Sequence, residues 1–125
     1  MWYELLDNNV FITKLYDQVP DLIDIRIDQI NVLDECDKVS IFFDLQKYAD
    51  NPPQKWIQSK YNTVVVNIDL FGIHEINMSY KPTNVDKSNI RICIDENSYI
   101  KVKITGQFNA TIRAVVGMIQ TICGY

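Results

Sequence analysis

Val64-Val65-Val66-Asn67-Ile68-Asp69-Leu70-Phe71 divides its side chains into two rows, Val64, Val66, Ile68 and Leu70 against Val65, Asn67, Asp69 and Phe71. Successive side chains of extended backbone point to opposite faces, so the octet reads as a strand with one face in a core. Gly72 follows, and its freedom at positive φ predicts a sharp turn into a second strand carrying His74, Ile76, Met78 and Tyr80. Upstream stands Asn51-Pro52-Pro53-Gln54-Lys55-Trp56. Consecutive prolines lack amide donors and favour polyproline geometry, so neither helix nor central strand crosses them. Trp56 gives that loop an apolar anchor, suited to plugging an open end of the core.

The same two-residue period recurs on both sides. Asp7 or Asn8 caps a helix whose Phe11, Ile12, Leu15, Tyr16 and Val19 share a face, and Pro20 ends it. Ile23, Ile25 and Ile27 then alternate with Asp24, Arg26 and Asp28, and the phase slips at Asp28-Gln29, which predicts a β-bulge. Leu33 to Asp37 reads as a turn before a strand burying Val39, Ile41, Phe43 and Leu45. Further strands carry Ile90, Ile92 and Ile94, then Ile100, Val102 and Ile104, with Gly106 turning into Phe108, Ala110, Ile112 and Ala114. The tail from Val116 to Tyr125 supplies a last strand. The expectation is a single domain over residues 1–125 in the α+β class. It is mainly antiparallel β, with about eight strands in a meander-like sheet or sandwich and one N-terminal helix.

Composition narrows the function classes. At 125 residues, with ordinary hydrophobic and charged fractions, the chain is long enough for one core and is not a disordered tail. Its longest apolar run, Ala114 to Ile119, is far short of the ~20 residues of a spanning helix. The opening residues show no basic and apolar leader, and Cys36, Cys93 and Cys123 are odd in number with no C-x-x-C pair. Both features predict a cytoplasmic protein with reduced, structural thiols and no membrane association. The net charge is −4 but unevenly spread. Residues 1–50 hold eleven acids against four bases, and residues 51–125 hold five acids against eight bases. The acidic half repels phosphate, which argues against nucleic acid as a partner.

No catalytic set is visible. The one histidine, His74, has no Gly-x-Ser-x-Gly elbow near it and shares a strand row with Ile76, Met78 and Tyr80, which predicts a partly buried structural role. The four glycines stand apart, so no phosphate cradle forms, and Asp34-Glu35-Cys36-Asp37 lacks the glycine and terminal glutamate of a calcium loop. Catalytic residues, metal ligands and cofactor are expected to be none.

What remains is surface. Asp24, Asp28, Phe42, Asp44, Asp69 and Phe71 are expected to project from one side of three adjacent strands, as aromatic anchors within a negative field. That combination fits a basic protein surface, charge speeding encounter and aromatics holding the complex. Arg91, Lys101, Lys103 and Arg113 form a basic row on later strands, read as a solvated face that guards against edge pairing. Trp56, Tyr61 and Tyr80 make a third candidate, a stacking platform for a small ligand or carbohydrate.

The segment NPPQKWIQSKYNTVVVNIDLFGI, from Asn51 to Ile73, resembles the bacterial immunity protein 50 family. So do the opening Met1-Trp2-Tyr3-Glu4-Leu5-Leu6 and the closing run from Gly117 to Tyr125. The resemblance implies a non-enzymatic protein that binds and neutralises a cognate toxin one to one. Its expected contact residues are Asp24, Asp28, Phe42, Asp44, Asp69 and Phe71, joined by Trp56 and Tyr61. The alternative is the small-ligand or carbohydrate-binding β domain built on Trp56, Tyr61 and Tyr80.

Overall fold

The computed structural model describes residues 1–125. A 3-10 turn, Trp2–Leu5, precedes α1 (Val10–Leu15), β1 (Arg26–Leu33), β2 (Lys38–Asp44), α2 (Gln54–Gln58), β3 (Val64–Ser79), β4 (Ser88–Ile94), β5 (Ile100–Gly106) and β6 (Asn109–Gly124). The six strands form one antiparallel sheet in the order β1-β2-β3-β6-β5-β4. Six strands replace the expected eight because β3 and β6 are each 16 residues long. Gly72, at φ 66°, does not turn the chain back; the register shifts between Ile73 and Glu75, and β3 continues through a bulge along β6. Val116 to Gly124 likewise prolongs β6 rather than adding a strand.

The meander holds within β1-β2-β3 and within β4-β5-β6 but breaks between them, since β4 lies at the far edge and β6 returns to pair with β3. The two outer strands then meet at one corner. Ile25, just before β1, and Ser88, at the start of β4, form an antiparallel bridge. The sheet thus curls around a core of 27 buried apolar residues that includes Phe43, Ile41, Ile68, Leu70, Ile104 and Ile112. Alternation along the strands supplied these positions, as the octet at Val64 predicts.

Local chemistry explains the departures. The bulge near Asp28 is present, with Ile27 opposite Phe43 and Gln29 opposite Phe42, leaving Asp28 as the extra residue. β1 starts only at Arg26 because Asp24 takes φ 52°, and Ile23 is consequently exposed rather than in a strand row. The N-terminal helix is one and a half turns, not three. Tyr16 is already extended, at φ −126°, yet Ile12, Leu15, Tyr16 and Val19 are buried as their spacing suggests. After Pro53 the chain forms the short α2, in which Trp56 is 8 % exposed, edge-on to Phe11 and tilted against Tyr48. Cys36, Cys93 and Cys123 are all exposed and form no disulfide.

Candidate partner-binding face

Each strand of the sheet has an inner side in the core and an outer side, and the register of four strands places the outer side chains in rows. The first row is Leu33, Lys38, Phe71 and Val116, on β1, β2, β3 and β6. The second is Asn31, Ser40, Asp69 and Met118, and the third is Gln29, Phe42, Asn67 and Thr121. Asp44, opposite Arg26 on one side and Val65 on the other, closes the set.

The structure therefore brings Phe42, Asp44, Asp69 and Phe71 onto one face. Their electrostatics differ from a free negative field. Asp69 is 2 % exposed: the Ser40 hydroxyl donates to its Oδ1, the Asn67 amide donates to the same oxygen at 3.2 Å, and Lys38 Nζ lies 3.6 Å from Oδ2. Lys38 Nζ also sits 5.5 Å from the Phe71 ring centroid, binding the first and second rows together. Asp28 and Asp44 each meet the Arg26 guanidinium at 3.3 Å. The carboxylates of this face are thus matched by two cations, and the centre of the face is a neutralised polar network between two half-buried rings.

The uncompensated charge stands beside it. Asp34, Glu35 and Asp37 form the β1–β2 turn, all exposed and in no ion pair. Asp34, Glu35 and Cys36 take φ of 54°, 57° and 72°, a left-handed run that non-glycine residues adopt at a cost of about 1–2 kcal/mol each. The turn is anchored where the Gly72 N–H donates to the Asp37 carbonyl at 3.1 Å. That bond places the acidic tip against the first row, whose Leu33 and Val116 are 42 % and 37 % exposed, beside Val115 at 63 %. Acids at the rim with exposed aliphatic side chains and Phe71 beneath them form an apolar patch with a charged border.

Leu33, Val115 and Val116 were missed from sequence because nothing in it reveals that β6 lies beside β3. Val115 and Val116 follow the buried Ala114 directly, and the apolar letters alone do not tell the exposed pair from the buried residue. Asp24 lies elsewhere: its N–H donates to the Asn89 Oδ1 at 2.9 Å near the β4 edge. Trp56 is buried under Gly124 and Tyr61, so it packs the end of the core. The stacking platform does not assemble. Tyr61 precedes β3 and Tyr80 follows it, at opposite ends of 16 residues of strand, on the order of 50 Å apart.

His74 is also placed differently from its expected row. It is the extra residue of the β3 bulge, exposed, and stacked on Tyr99 at 4.4 Å between centroids. Of the basic row, Arg113 is paired with Glu75 and with Asp95, the latter at 3.0 Å, whereas Arg91, Lys101 and Lys103 have no ionic partner. No His, Cys, Asp and Glu side chains cluster in a way that could hold a metal, and no helix is long and apolar enough to cross a membrane.

Comparison with known proteins leads in one direction. No curated protein and no solved structure matches the chain significantly. The family model described as immunity protein 50 matches residues 8–125, nearly the whole sheet and both helices, and the chain belongs to that family.

Proposed function

We propose that this protein neutralises a cognate toxin by binding it one to one, without catalysis, from the cytoplasm of a bacterial cell. Membership of the immunity protein 50 family is the observation that carries the reading. The outer face supports it: Phe42 and Phe71 sit over a satisfied polar network, flanked by Leu33 and Val116 and bordered by Asp34, Glu35 and Asp37. Aromatic and aliphatic groups that are already ordered lose little entropy on binding, and acids at the rim attract a basic partner. Asp44 and Asp69 hold the face in shape, and Asp28 contributes to its border through Arg26.

The test is survival of cells expressing the toxin encoded beside this chain, with and without it, together with capture of that toxin by the purified protein. Rescue with a one-to-one complex supports the reading. Failure of both, with the toxin demonstrably active, overturns it.

A further inference from the structure

β4 is an edge strand whose free edge is half used. Ser88 exchanges both its backbone bonds with Ile25, and the Ile90 N–H donates to the Leu22 carbonyl, all at 2.9 Å. Antiparallel pairs alternate between bonded and non-bonded positions. Residues 88, 90, 92 and 94 therefore turn their backbone groups away from β5. Past the Ile90 N–H the chain supplies nothing more: no backbone bond reaches the Ile90 carbonyl, either group of Ile92, or the Ile94 N–H from that side.

These groups open into a groove of about 930 Å³ between β4 and the Trp2–Leu5 turn. Its lining includes the apolar Met1, Leu5 and Ile94, the bases Arg91 and Lys103, and the acids Glu4 and Asp21, of which Glu4 is paired with the N-terminal ammonium. Arg91 lies directly opposite Lys103 in the β4–β5 register, and neither has an ionic partner. The groove thus offers a ladder of backbone donors and acceptors, apolar side chains, and at the Arg91–Lys103 pair two cations without ionic partners, with Asp21 as the acid on the opposite, Leu22–Ile23 side of the lining.

We propose that this edge binds an extended segment of a protein partner in which aliphatic and acidic side chains alternate, added to the sheet beside Ile90–Ile94. Strand addition supplies main-chain bonds, and the period of two directs one row of its side chains to Met1, Leu5 and Ile94 and the other to Arg91 and Lys103. A second copy of this chain is a poor occupant, because pairing two β4 edges brings Arg91 and Lys103 against their own like charges. The site runs along β4 beyond the Ile25–Ser88 bridge, shares no residue with the Phe42–Phe71 face, and stands independently of toxin binding there.

The test uses two fluorescein-labelled probes, Val-Glu-Val-Glu-Val and Val-Lys-Val-Lys-Val, in anisotropy titrations against the full chain, with amide exchange followed at Ile92 and Ile94. The glutamate probe should bind at least about tenfold more tightly than the lysine probe, given the charge complementarity. It should also slow exchange at both amides. Arg91→Glu with Lys103→Glu should reverse the preference, and N-methylating the central valine of the probe should abolish binding while leaving the protein untouched. Absence of binding by either probe up to millimolar concentration overturns the proposal. So does an Ile92 amide already protected in the free protein, or a concentration-dependent dimer that occupies the edge.

Discussion

Ile25 and Ser88 each donate an N–H to the other's carbonyl at 2.9 Å, joining the leading end of β1 to the leading end of β4 across the two margins of the sheet. Ile25 is 1 % exposed, so the same residue that makes the bridge also fills the core beneath it. Ile25→Ala should lower unfolding free energy by about 2–5 kcal/mol, the range for a large-to-small change at a fully buried site. Denaturant titration measures this, and amide exchange at Ser88 and Ile90 should accelerate more than at the centre of β3.

The Ser40–Asp69 contact is buried, although it lies on the outer side of the sheet. Removing the carboxylate strands the Ser40 hydroxyl and the Lys38 ammonium together. Asp69→Ala should cost about 2–3 kcal/mol and Ser40→Ala about 1–2 kcal/mol, as for hydrogen bonds to charged groups. Because one interaction is lost in both variants, the double variant should cost less than their sum by about 0.5–2 kcal/mol. A thermodynamic cycle from denaturant curves checks the coupling.

Gly106 and Gly72 both have positive φ, but their surroundings rank them. At Gly106, φ is 124°, and an added Cβ would lie 2.8 Å from the Ser88 Cα, with the Lys87 carbonyl closer still. At Gly72 the obstruction is side chain rather than backbone, the Val115 Cγ2 at 2.9 Å and Cβ at 3.0 Å. Gly106→Ala should therefore destabilise by about 2–3 kcal/mol, and Gly72→Ala by about 1–2 kcal/mol, the cost of strained left-handed backbone. Thermal melts of the two variants side by side decide the order.

What the sequence disclosed was the inner side of each strand, because burial follows a period that one residue cannot break without moving its neighbours. Val64, Val66, Ile68 and Leu70 declared themselves this way, as did the slip at Asp28. Glycine was less informative. At Gly106 it marks a hairpin, whereas at Gly72 the strand runs on, two residues before the bulge at His74, and the difference lies in whether a partner strand runs on past it. That partner, β6, is distant in sequence, so the strand count and the Leu33–Phe71–Val116 row were both hidden. The satisfaction of Asp69 was hidden for the same reason, since Ser40 and Lys38 reach it only through the β2–β3 register.

Tyr16 links the N-terminal helix to the loop after β2, its hydroxyl donating to the Lys47 carbonyl at 2.6 Å. Burial raises its pKa well above the usual tyrosine range, and the nearby charge of Asp50 adds to the shift. The folded state therefore keeps a proton that the unfolded chain releases above pH ~10. Stability is unaffected below that pH and falls as pH rises beyond it. Tyr16→Phe should flatten this alkaline slope while costing about 1 kcal/mol at neutral pH for the lost hydrogen bond. Unfolding curves at pH 8 to 11.5 separate the two effects.

For toxin binding, charge and apolar contact should act on different rate constants. Neutralising the turn as Asp34→Asn, Glu35→Gln and Asp37→Asn should slow association about three- to tenfold and leave dissociation nearly unchanged. Phe71→Ala should instead speed dissociation, weakening the complex about tenfold or more, as for a central aromatic contact. Surface plasmon resonance with the captured toxin resolves both, and thermal melts confirm that the variants remain folded.

β6 follows β4 and β5 in the chain but lies between β5 and β3. During synthesis, β1, β2 and β3 emerge with one whole side of a sixteen-residue strand unpaired until three further strands have been made. Nascent chains with long open margins are prone to stick to one another. Glu75, whose partner Arg113 arrives only with β6, is a charge on that waiting margin of the kind that discourages pairing between neighbours on a polysome.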